Sequence, residues 1–201
     1  STGGGWSQEM VVHPSQLVDV PEVLSDEQAV IVEPLACAVH AARQVVAGRV
    51  AVIGSGTLGL LTIAALRRLS PATEILATAK HPDQRRWAKE LGADATCAPG
   101  ELARTVRSAT GSLVIGDQLT GGAPAVVDCV GSEATLTQAL QVVAPGGTVH
   151  AVGMPGRTTL DLTGLWHRET SLRGCYAYER ADFDTALELV ADLDLGRLVT
   201  A

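Results

Sequence analysis

The sequence predicts an α/β fold built on a doubly wound, mostly parallel sheet. From residue 49 onward, short apolar runs of strand length alternate with segments of helical length and composition. Strands that are joined by helical crossovers pair in parallel, and the helices then cover both faces of the sheet. A hydrophobic fraction of 46% is ample for such a core, and 21 glycines suit the many tight turns that this fold needs.

The N-terminal segment precedes this regular alternation. Loose alternation of apolar and polar residues predicts short strands at 6–13 and 16–20. Ser25 is expected to cap a helix, because acidic residues follow it in the first turn. A further helical stretch is predicted from Glu33, with Pro34 tolerated at the first helical position. This segment cannot form a domain by itself, so we expect it to continue a region that lies upstream.

The regular part of the chain contains six predicted strands. The four apolar residues at 50–53, bounded by glycine, are typical of a strand that is buried on both faces. The strands are predicted at 50–53, 74–78, 96–97, 125–131, 148–152 and 172–176. The helices between and after them are predicted at 57–69, 83–91, 101–108, 133–143 and 181–193.

Charge and cysteine spacing exclude several classes of protein. The net charge of −7 argues against generic nucleic-acid binding, which needs a basic surface. No leader resembles a signal peptide and no apolar run reaches the roughly 18 residues of a membrane span, so we expect a soluble, cytoplasmic protein. Cys37, Cys97, Cys129 and Cys175 form no Cys-x-x-Cys pair, which excludes a short-spaced zinc ribbon and disfavours a disulfide framework.

A glycine-rich turn joins the first strand of the regular part to its helix. Gly54, Gly56 and Gly59 have the G-x-G-x-x-G spacing of dinucleotide-binding proteins. The first permits the tight turn, the second lets a pyrophosphate approach the backbone, and the third lets the helix pack closely on the strand. The alternative is a tight turn without a ligand. The residues predicted to hold the pyrophosphate are Gly54, Ser55, Gly56, Thr57, Leu58 and Gly59.

The end of the second strand bears on the choice of cofactor. NAD-binding proteins of this kind place an acidic residue about 20 residues after the glycines, where it binds the ribose 2′-hydroxyl. Ala79 stands at that distance from Gly59. Alanine removes the repulsion of a 2′-phosphate, while Lys80 and His81, with Arg85 on the next turn, offer positive charge and donors. We therefore predict NADP(H) over NAD(H), although this stretch could also be a solvated loop.

Seven short motifs occur in a fixed order along the chain, at residues 5–10, 33–35, 54–59, 91–94, 120–122, 127–131 and 145–147. In this order they resemble the medium-chain dehydrogenases/reductases, the superfamily of zinc-dependent alcohol and polyol dehydrogenases. The resemblance implies a remnant of a GroES-like catalytic domain at 1–32 and an NAD(P)-binding Rossmann domain at 33–201. The Gly-His-Glu motif of the family's zinc ligands does not occur. We therefore expect the cofactor-binding part of a longer enzyme, cut at both ends, inactive and without zinc by itself.

The resemblance also implies roles for individual residues. Glu33 would be a zinc ligand, or the partner of the zinc-bound water, in the intact enzyme; alternatively it only stabilises a helix N-terminus. Asp128 is expected to be hydrogen-bonded locally and His40 to be structural. The remaining cofactor contacts, each of which could instead be only a strand end or turn, are Cys129, Val130, Gly131, Val152, Gly153, Met154, Cys175 and Tyr176.

The predicted function is hydride transfer between NADP(H) and a small alcohol or carbonyl substrate. The alternatives are a zinc-free quinone oxidoreductase of the same superfamily and a non-catalytic nucleotide-binding module. A methyltransferase is disfavoured, because that fold needs an acidic residue where Ala79 stands. Neither nucleic acid nor a membrane is an expected partner. Family members often form homo-oligomers through the edge strand, here predicted at 172–176.

Overall fold

A computed structural model of the protein describes residues 7–46, 48–70, 73–116, 118–154 and 156–199. These residues form a six-stranded sheet with helices on both faces, and a small two-stranded hairpin beside it. The helices are α1 (Asp26–Arg43), α2 (Thr57–Leu69), α3 (Pro82–Glu90), α4 (Leu102–Thr110), α5 (Glu133–Val142), α6 (Thr163–His167) and α7 (Arg180–Asp192). The strands are β1 (Arg49–Ile53), β2 (Glu74–Thr78), β3 (Ala95–Cys97), β4 (Val114–Ile115), β5 (Gln118–Leu119), β6 (Ala123–Asp128), β7 (Val143–Ala151) and β8 (Ser171–Gly174).

The large sheet has the strand order β3-β2-β1-β6-β7-β8, and all its neighbouring strands are parallel. The chain winds outward from β1 to β3, then returns to β6 and winds outward in the other direction to β8. Neighbouring β1 and β6 therefore mark the point where the winding reverses, and ligands of such sheets bind beyond the carboxyl ends of the strands at this point. The predicted doubly wound parallel fold is confirmed.

Each central strand is buried on both faces because helices cover both sides of the sheet. Val50 and Val52 of β1 belong to the apolar cluster on the side of α1, α2 and α7. Ala51 and Ile53, which alternate with them, belong to the cluster on the side of α4 and α5. Successive side chains of a strand point to opposite faces, so a continuous apolar run is what this position requires.

Helix α1 is longer than the sequence predicted. Ser25 is its N-cap, as expected: its hydroxyl accepts a hydrogen bond from the Gln28 N–H at 3.3 Å. The helix then continues without a break to Arg43, so Pro34 lies inside it and does not begin a second helix. Proline deprives the carbonyl four residues earlier of its donor. That carbonyl belongs to Val30, which is 63% exposed, so water can reach this turn.

The strands predicted near the N-terminus are wrong. Residues 7–13 and 17–20 are irregular, and Pro14–Gln16 form a short 3₁₀ turn. Trp6, where the first of these strands was predicted to begin, lies outside the described residues. A strand needs a neighbour to receive its backbone hydrogen bonds, and these residues pair with none of the described strands.

Three further departures concern the second half of the chain. The sequence predicted neither the β4–β5 hairpin nor the short helix α6. Strand β7 begins at Val143 and not at residue 148, because its pairing with β6 shifts register between Ala123 and Ala125. Such an irregularity lets a strand accommodate additional residues, here the segment 145–147, which lies outside the strand predicted at 148–152.

A buried carboxylate joins α7 to α1. Asp182 is 3% exposed and contacts His40 Nδ1 at 2.8 Å and Arg43 Nη1 at 3.0 Å. Burial alone would raise the pKa of Asp182, but the backbone N–H of Glu179, His40 and Arg43 outweigh it and hold the pKa below its ordinary value of 3.8. The contact of His40 with Asp182, which also pairs with Arg43, agrees with the expectation that His40 is structural.

We expect Asp182→Asn to lower the free energy of unfolding by about 1–3 kcal/mol at neutral pH, because a buried charged network loses its anion. A depressed folded pKa means that the carboxylate stabilises the fold above pH 3.8 and loses this effect as the pH falls through its lower folded value. As the pH falls below 3.8, the free energy of unfolding should therefore decrease less in the variant than in the unchanged chain, and the difference between the two should shrink. Urea unfolding at several pH values measures both effects.

The matched control is Asp184→Asn on the same helix, where the carboxylate is 53% exposed and pairs with Arg180. Exposed pairs contribute about 0–1 kcal/mol, so this variant should resemble the unchanged chain at every pH. Equal effects of the two substitutions would contradict the role given to Asp182.

Candidate cofactor-binding site

The predicted site residues gather at one edge of the sheet. Because all six strands are parallel, their carboxyl ends meet at this edge. The turns that follow the strands contain residues 54–56 after β1, 79–81 after β2, 129–131 after β6, 152–154 after β7 and 175–176 after β8. The remaining predicted residues are Thr57, Leu58 and Gly59 in the first turn of α2, Arg85 in α3 and Glu33 in α1.

The glycine-rich turn is fixed to the end of β2. Thr78 Oγ1 accepts a hydrogen bond from the Gly54 N–H at 3.0 Å, and the Ser55 hydroxyl donates to the Thr78 carbonyl at 2.8 Å. Ser55 and Thr78 are 2% and 1% exposed, so water competes little for these bonds. Gly54 has a φ of +88°, a conformation that side chains disfavour. Thr78 was not among the residues predicted to form this turn.

The other two glycines of the motif have different surroundings. A Cβ on Gly59 would overlap the Gly54 carbonyl and lie 3.6 Å from the Cβ of Cys129, so α2 could not pack as closely. A Cβ on Gly56 would meet nothing within 4 Å, because Gly56 and Thr57 face solvent. Gly56 is the N-cap of α2 and offers no capping side chain, which leaves the first N–H groups of the helix accessible to an anion.

Asp128 organises the turns after β6 and β7. Its Oδ1 accepts hydrogen bonds from the N–H groups of Val130 at 2.9 Å and Gly131 at 3.2 Å, and Oδ2 accepts from the Thr135 hydroxyl at 2.9 Å. Its carbonyl oxygen accepts from the N–H groups of residues 152–153, both at 2.9 Å. The carboxylate is therefore fully engaged in local contacts, as the sequence analysis expected.

A cleft of about 520 Å³ opens next to the glycine-rich turn. It is lined by Glu33 and its neighbours on α1, the first turn of α2, residues 151–154 and residues 174–177. Its lining is mostly apolar, and Met154 and Tyr176 at its rim are more than 90% exposed. The structure thus brings Glu33 together with the turns after β7 and β8, whereas residues 79–81 and 129–131 lie outside this cleft.

Glu33 lies at the wall of the cleft, one helical turn from Cys37. The Cys37 thiol contacts Glu33 Oε1 at 3.8 Å. Burial, together with the negative charge of Glu33, raises the pKa of the Cys37 thiol to about 11, so the thiol is protonated at neutral pH. Cys37 was not among the predicted site residues, and its position one turn after Glu33 on the same helix was the available signal.

The end of β2 carries no acidic residue. Ala79 is 1% exposed, and its carbonyl accepts a hydrogen bond from Arg85 Nη1 at 2.9 Å. This contact holds the guanidinium of Arg85 beside the strand end. Lys80 and His81 are exposed on the same turn. The nearest carboxylate in sequence, Asp83, is 86% exposed on its side chain and lies 3.5 Å from the guanidinium of Arg86.

The donor groups do not form a complete metal site. Within the described ranges, no three side chains of histidine, cysteine, aspartate or glutamate lie close enough together to hold a metal ion. One carboxylate and a protonated thiol at Glu33 and Cys37 do not supply the three or four ligands that zinc takes in proteins.

No helix in the described part of the chain is long and apolar enough to cross a membrane.

Comparison with known proteins identifies a matching family and individual relatives. The model of the zinc-binding dehydrogenase family matches residues 57–192. The protein named "Probable D-xylulose reductase A" of Arthroderma otae is 32% identical over 188 residues, which are 90% of this chain and 52% of that protein. The chain thus spans about half the length of the curated relatives it matches.

Solved structures show the same fold. L-Idonate 5-dehydrogenase from Escherichia coli superposes with a TM-score of 0.78 at 28% identity, over 92% of this chain and 51% of that one. A structure from Sinorhizobium meliloti bound to NADP gives a TM-score of 0.71 at 28% identity, over 90% of this chain and 52% of that one. On the strength of the family match over most of its length, the chain belongs to the zinc-binding dehydrogenases, in agreement with its resemblance to the medium-chain dehydrogenases/reductases.

Proposed function

We propose that this chain is the cofactor-binding part of a zinc-dependent alcohol or polyol dehydrogenase that uses NADP(H). The observation that carries the proposal is the glycine-rich turn, which is tied to β2 and opens where the winding of the sheet reverses. When bound, the nicotinamide would accept a hydride as an alcohol is oxidised to a carbonyl compound, and would donate one in the reverse reaction. The residues of this chain would bind and orient that cofactor.

Each part of the cofactor has a proposed position along the strand ends. The pyrophosphate would rest on the N–H groups around residues 55–58, at the start of α2. The adenosine ribose would lie beside residues 129–131. The nicotinamide would enter the cleft between residues 152–154 and 174–176, whose backbone groups would contact its carboxamide. The apolar lining of the cleft supports this orientation, because it excludes water from the ring.

The preference for NADP(H) is proposed from the groups at the end of β2. A carboxylate there would bind the 2′-hydroxyl of NAD(H) and repel a phosphate. Buried Ala79 offers neither effect, whereas Lys80 and Arg85 offer positive charge at the same place. Arg85 is held by the Ala79 carbonyl, so little conformational freedom remains for it to lose on binding. The Sinorhizobium meliloti structure bound to NADP is a relative with this cofactor.

Titration of the chain with NADPH and NADH tests this proposal. We expect tighter binding of NADPH, and we expect Lys80→Ala to weaken NADPH on the order of tenfold, the effect of one charge-assisted hydrogen bond. NADH lacks the phosphate, so its binding should change little. Binding can be followed by the fluorescence of the reduced nicotinamide.

Lys89→Ala is the matched control, because it removes the same charge from an exposed position at the far end of α3. It should leave the ratio of the two affinities unchanged. A tenfold or greater preference for NADH would overturn the cofactor proposal. Equal weakening of NADPH and NADH by Lys80→Ala would mean that Lys80 does not recognise the phosphate.

Glu33 is proposed to contribute a carboxylate to the zinc site of the intact enzyme, as a ligand or as partner of the bound water. Its position in the wall of the cleft supports this role. The other ligands would come from outside the described residues, so we expect the chain alone to hold no zinc and to be inactive, and we assign no catalytic residue within it. The proposed boundary between 1–32 and 33–201 falls inside α1, whose buried residues begin at Ile31.

A second copy of the chain is the proposed partner at the sheet edge. Strand β8 pairs only with β7 among the described strands, and its four residues are exposed. An exposed strand edge presents unpaired backbone groups that another strand can bind. The small alcohol or carbonyl substrate and the cytoplasmic location stay predictions.

A further inference from the structure

A buried polar contact lies next to the cleft, where the turn after β8 begins. The Cys175 sulfur lies 3.6 Å from Gln44 Oε1 and 3.8 Å from His150 Nδ1. Cys175 is 8% exposed and His150 is 3% exposed. The three residues come from different elements: Gln44 caps the end of α1, His150 lies within β7, and Cys175 follows β8. The thiol therefore links three elements at one point.

The donor and acceptor in each of these hydrogen bonds follow from the hydrogens that each group carries. A thiol has one hydrogen, and the Gln44 carbonyl oxygen can only accept, so the S–H donates to Gln44. The sulfur can then accept from the Nδ1–H of His150. Burial raises the pKa of the Cys175 thiol and lowers the pKa of His150, so the neutral forms of both residues are the relevant ones.

The backbone of the same residue borders the cleft. Cys175 and its neighbours Gly174 and Tyr176 line the cavity, and the Cys175 N–H donates to the Ala151 carbonyl at 2.9 Å. Tyr176 is 92% exposed and gives the turn little packing. Ala177 has a φ of +53°, which a residue with a side chain adopts only when its surroundings hold it there. Among residues 174–177 only Cys175 is buried, so its side chain and its N–H together anchor this turn.

We propose that Cys175 is a positioning residue for the nicotinamide end of the cofactor, because its contacts with Gln44 and His150 fix the backbone of residues 174–176 at the cleft. This inference rests on the proposed function. It assigns the side chain a task that differs from cofactor contact: the thiol does not touch the cofactor, and it keeps the contacting backbone in place.

Two ligands test the inference. NADPH carries the nicotinamide, and 2′-phospho-ADP-ribose is the same molecule without it. Cys175→Ala should weaken NADPH about fivefold, the effect of one hydrogen bond, and leave 2′-phospho-ADP-ribose unchanged. Gln44→Leu removes the oxygen that accepts the hydrogen bond from the Cys175 thiol, and it should have the same selective effect. If both act through one contact, the double variant should bind NADPH no more weakly than either single variant.

Cys97→Ala is the matched control, because it removes another buried thiol, at the opposite edge of the sheet. It should leave the ratio of the two affinities unchanged, whatever its effect on each. Thermal unfolding shows whether each variant is folded, and Gln44→Leu remains informative if Cys175→Ala is not.

The outcomes distinguish failure of the positioning role from failure of the proposed function. Equal weakening of both ligands, or an unchanged ratio in Cys175→Ala and Gln44→Leu, would overturn the positioning role and leave the proposed function intact. Failure of the unchanged chain to bind either ligand would overturn the proposed function, and the positioning role with it. Both proposals are supported if the affinity for NADPH, relative to that for 2′-phospho-ADP-ribose, falls only in the variants of Cys175 and Gln44.

Discussion

Replacement of Gly59 by alanine is expected to lower the free energy of unfolding by about 3 kcal/mol, as overpacking of a tight backbone contact does. The new Cβ would overlap the Gly54 carbonyl, which is backbone and cannot rotate away. Alanine is otherwise the better helix former by about 1 kcal/mol. A net loss can therefore come only from the contact between α2 and the glycine-rich turn. Urea unfolding measures it.

Gly100→Ala is the control for this substitution. Gly100 lies in the 3₁₀ turn Pro99–Glu101, and a Cβ there would meet nothing within 4 Å. This variant should unfold within about 0.5 kcal/mol of the unchanged chain. If Gly59→Ala is equally stable, α2 does not pack against the turn as closely as the structure describes.

The second large effect is expected on binding and not on stability. Gly56 has φ −78° and ψ −168°, which any residue adopts, and a Cβ there would meet no atom within 4 Å. Gly56→Ala should therefore change the free energy of unfolding by less than about 0.5 kcal/mol. In the proposed complex, the same Cβ would occupy the space that the pyrophosphate needs, so NADPH should bind on the order of 100-fold more weakly.

The two glycine variants separate folding from recognition. Gly59→Ala tests a contact within the protein, and Gly56→Ala tests a contact that exists only with a ligand. The unfolding curve of Gly56→Ala, measured beside its NADPH titration, shows that any loss of binding is not a loss of fold. Unchanged NADPH affinity in Gly56→Ala would mean that no diphosphate rests on this turn, and the assignment of a dinucleotide site would be wrong.

The bounds of the central βαβ unit could be predicted from the sequence to within one residue. Strand β2 and helix α2 have the predicted bounds, and β1 differs from its prediction only by Arg49. Their signals are local: continuous apolar runs, a glycine turn between them, and no interrupting proline. The same local signals did not predict Thr78 as a partner of Gly54 and Ser55, because that contact joins residues more than 20 positions apart.

Predictions were least successful where an element depends on a neighbour. The apolar alternation at 6–13 predicted a strand, but the described residues 7–13 are irregular, because no described strand pairs with them. Pro34 is tolerated within α1 since the buried face of that helix, which includes Leu35 and Val39, packs on α2 and α7. Tertiary packing of this kind can exceed the roughly 3 kcal/mol that proline costs a helix.

The sequence by itself determined the α/β class, the parallel sheet and the turn that would hold a diphosphate, because glycine spacing and apolar periodicity act over a few residues. Only the tertiary structure decided that Glu33 shares a cleft with residues 151–154 and 174–177, and that Cys175 meets Gln44 and His150. These groups are far apart along the chain. The winding of the sheet brings them together, since parallel strands place all their carboxyl ends at one edge.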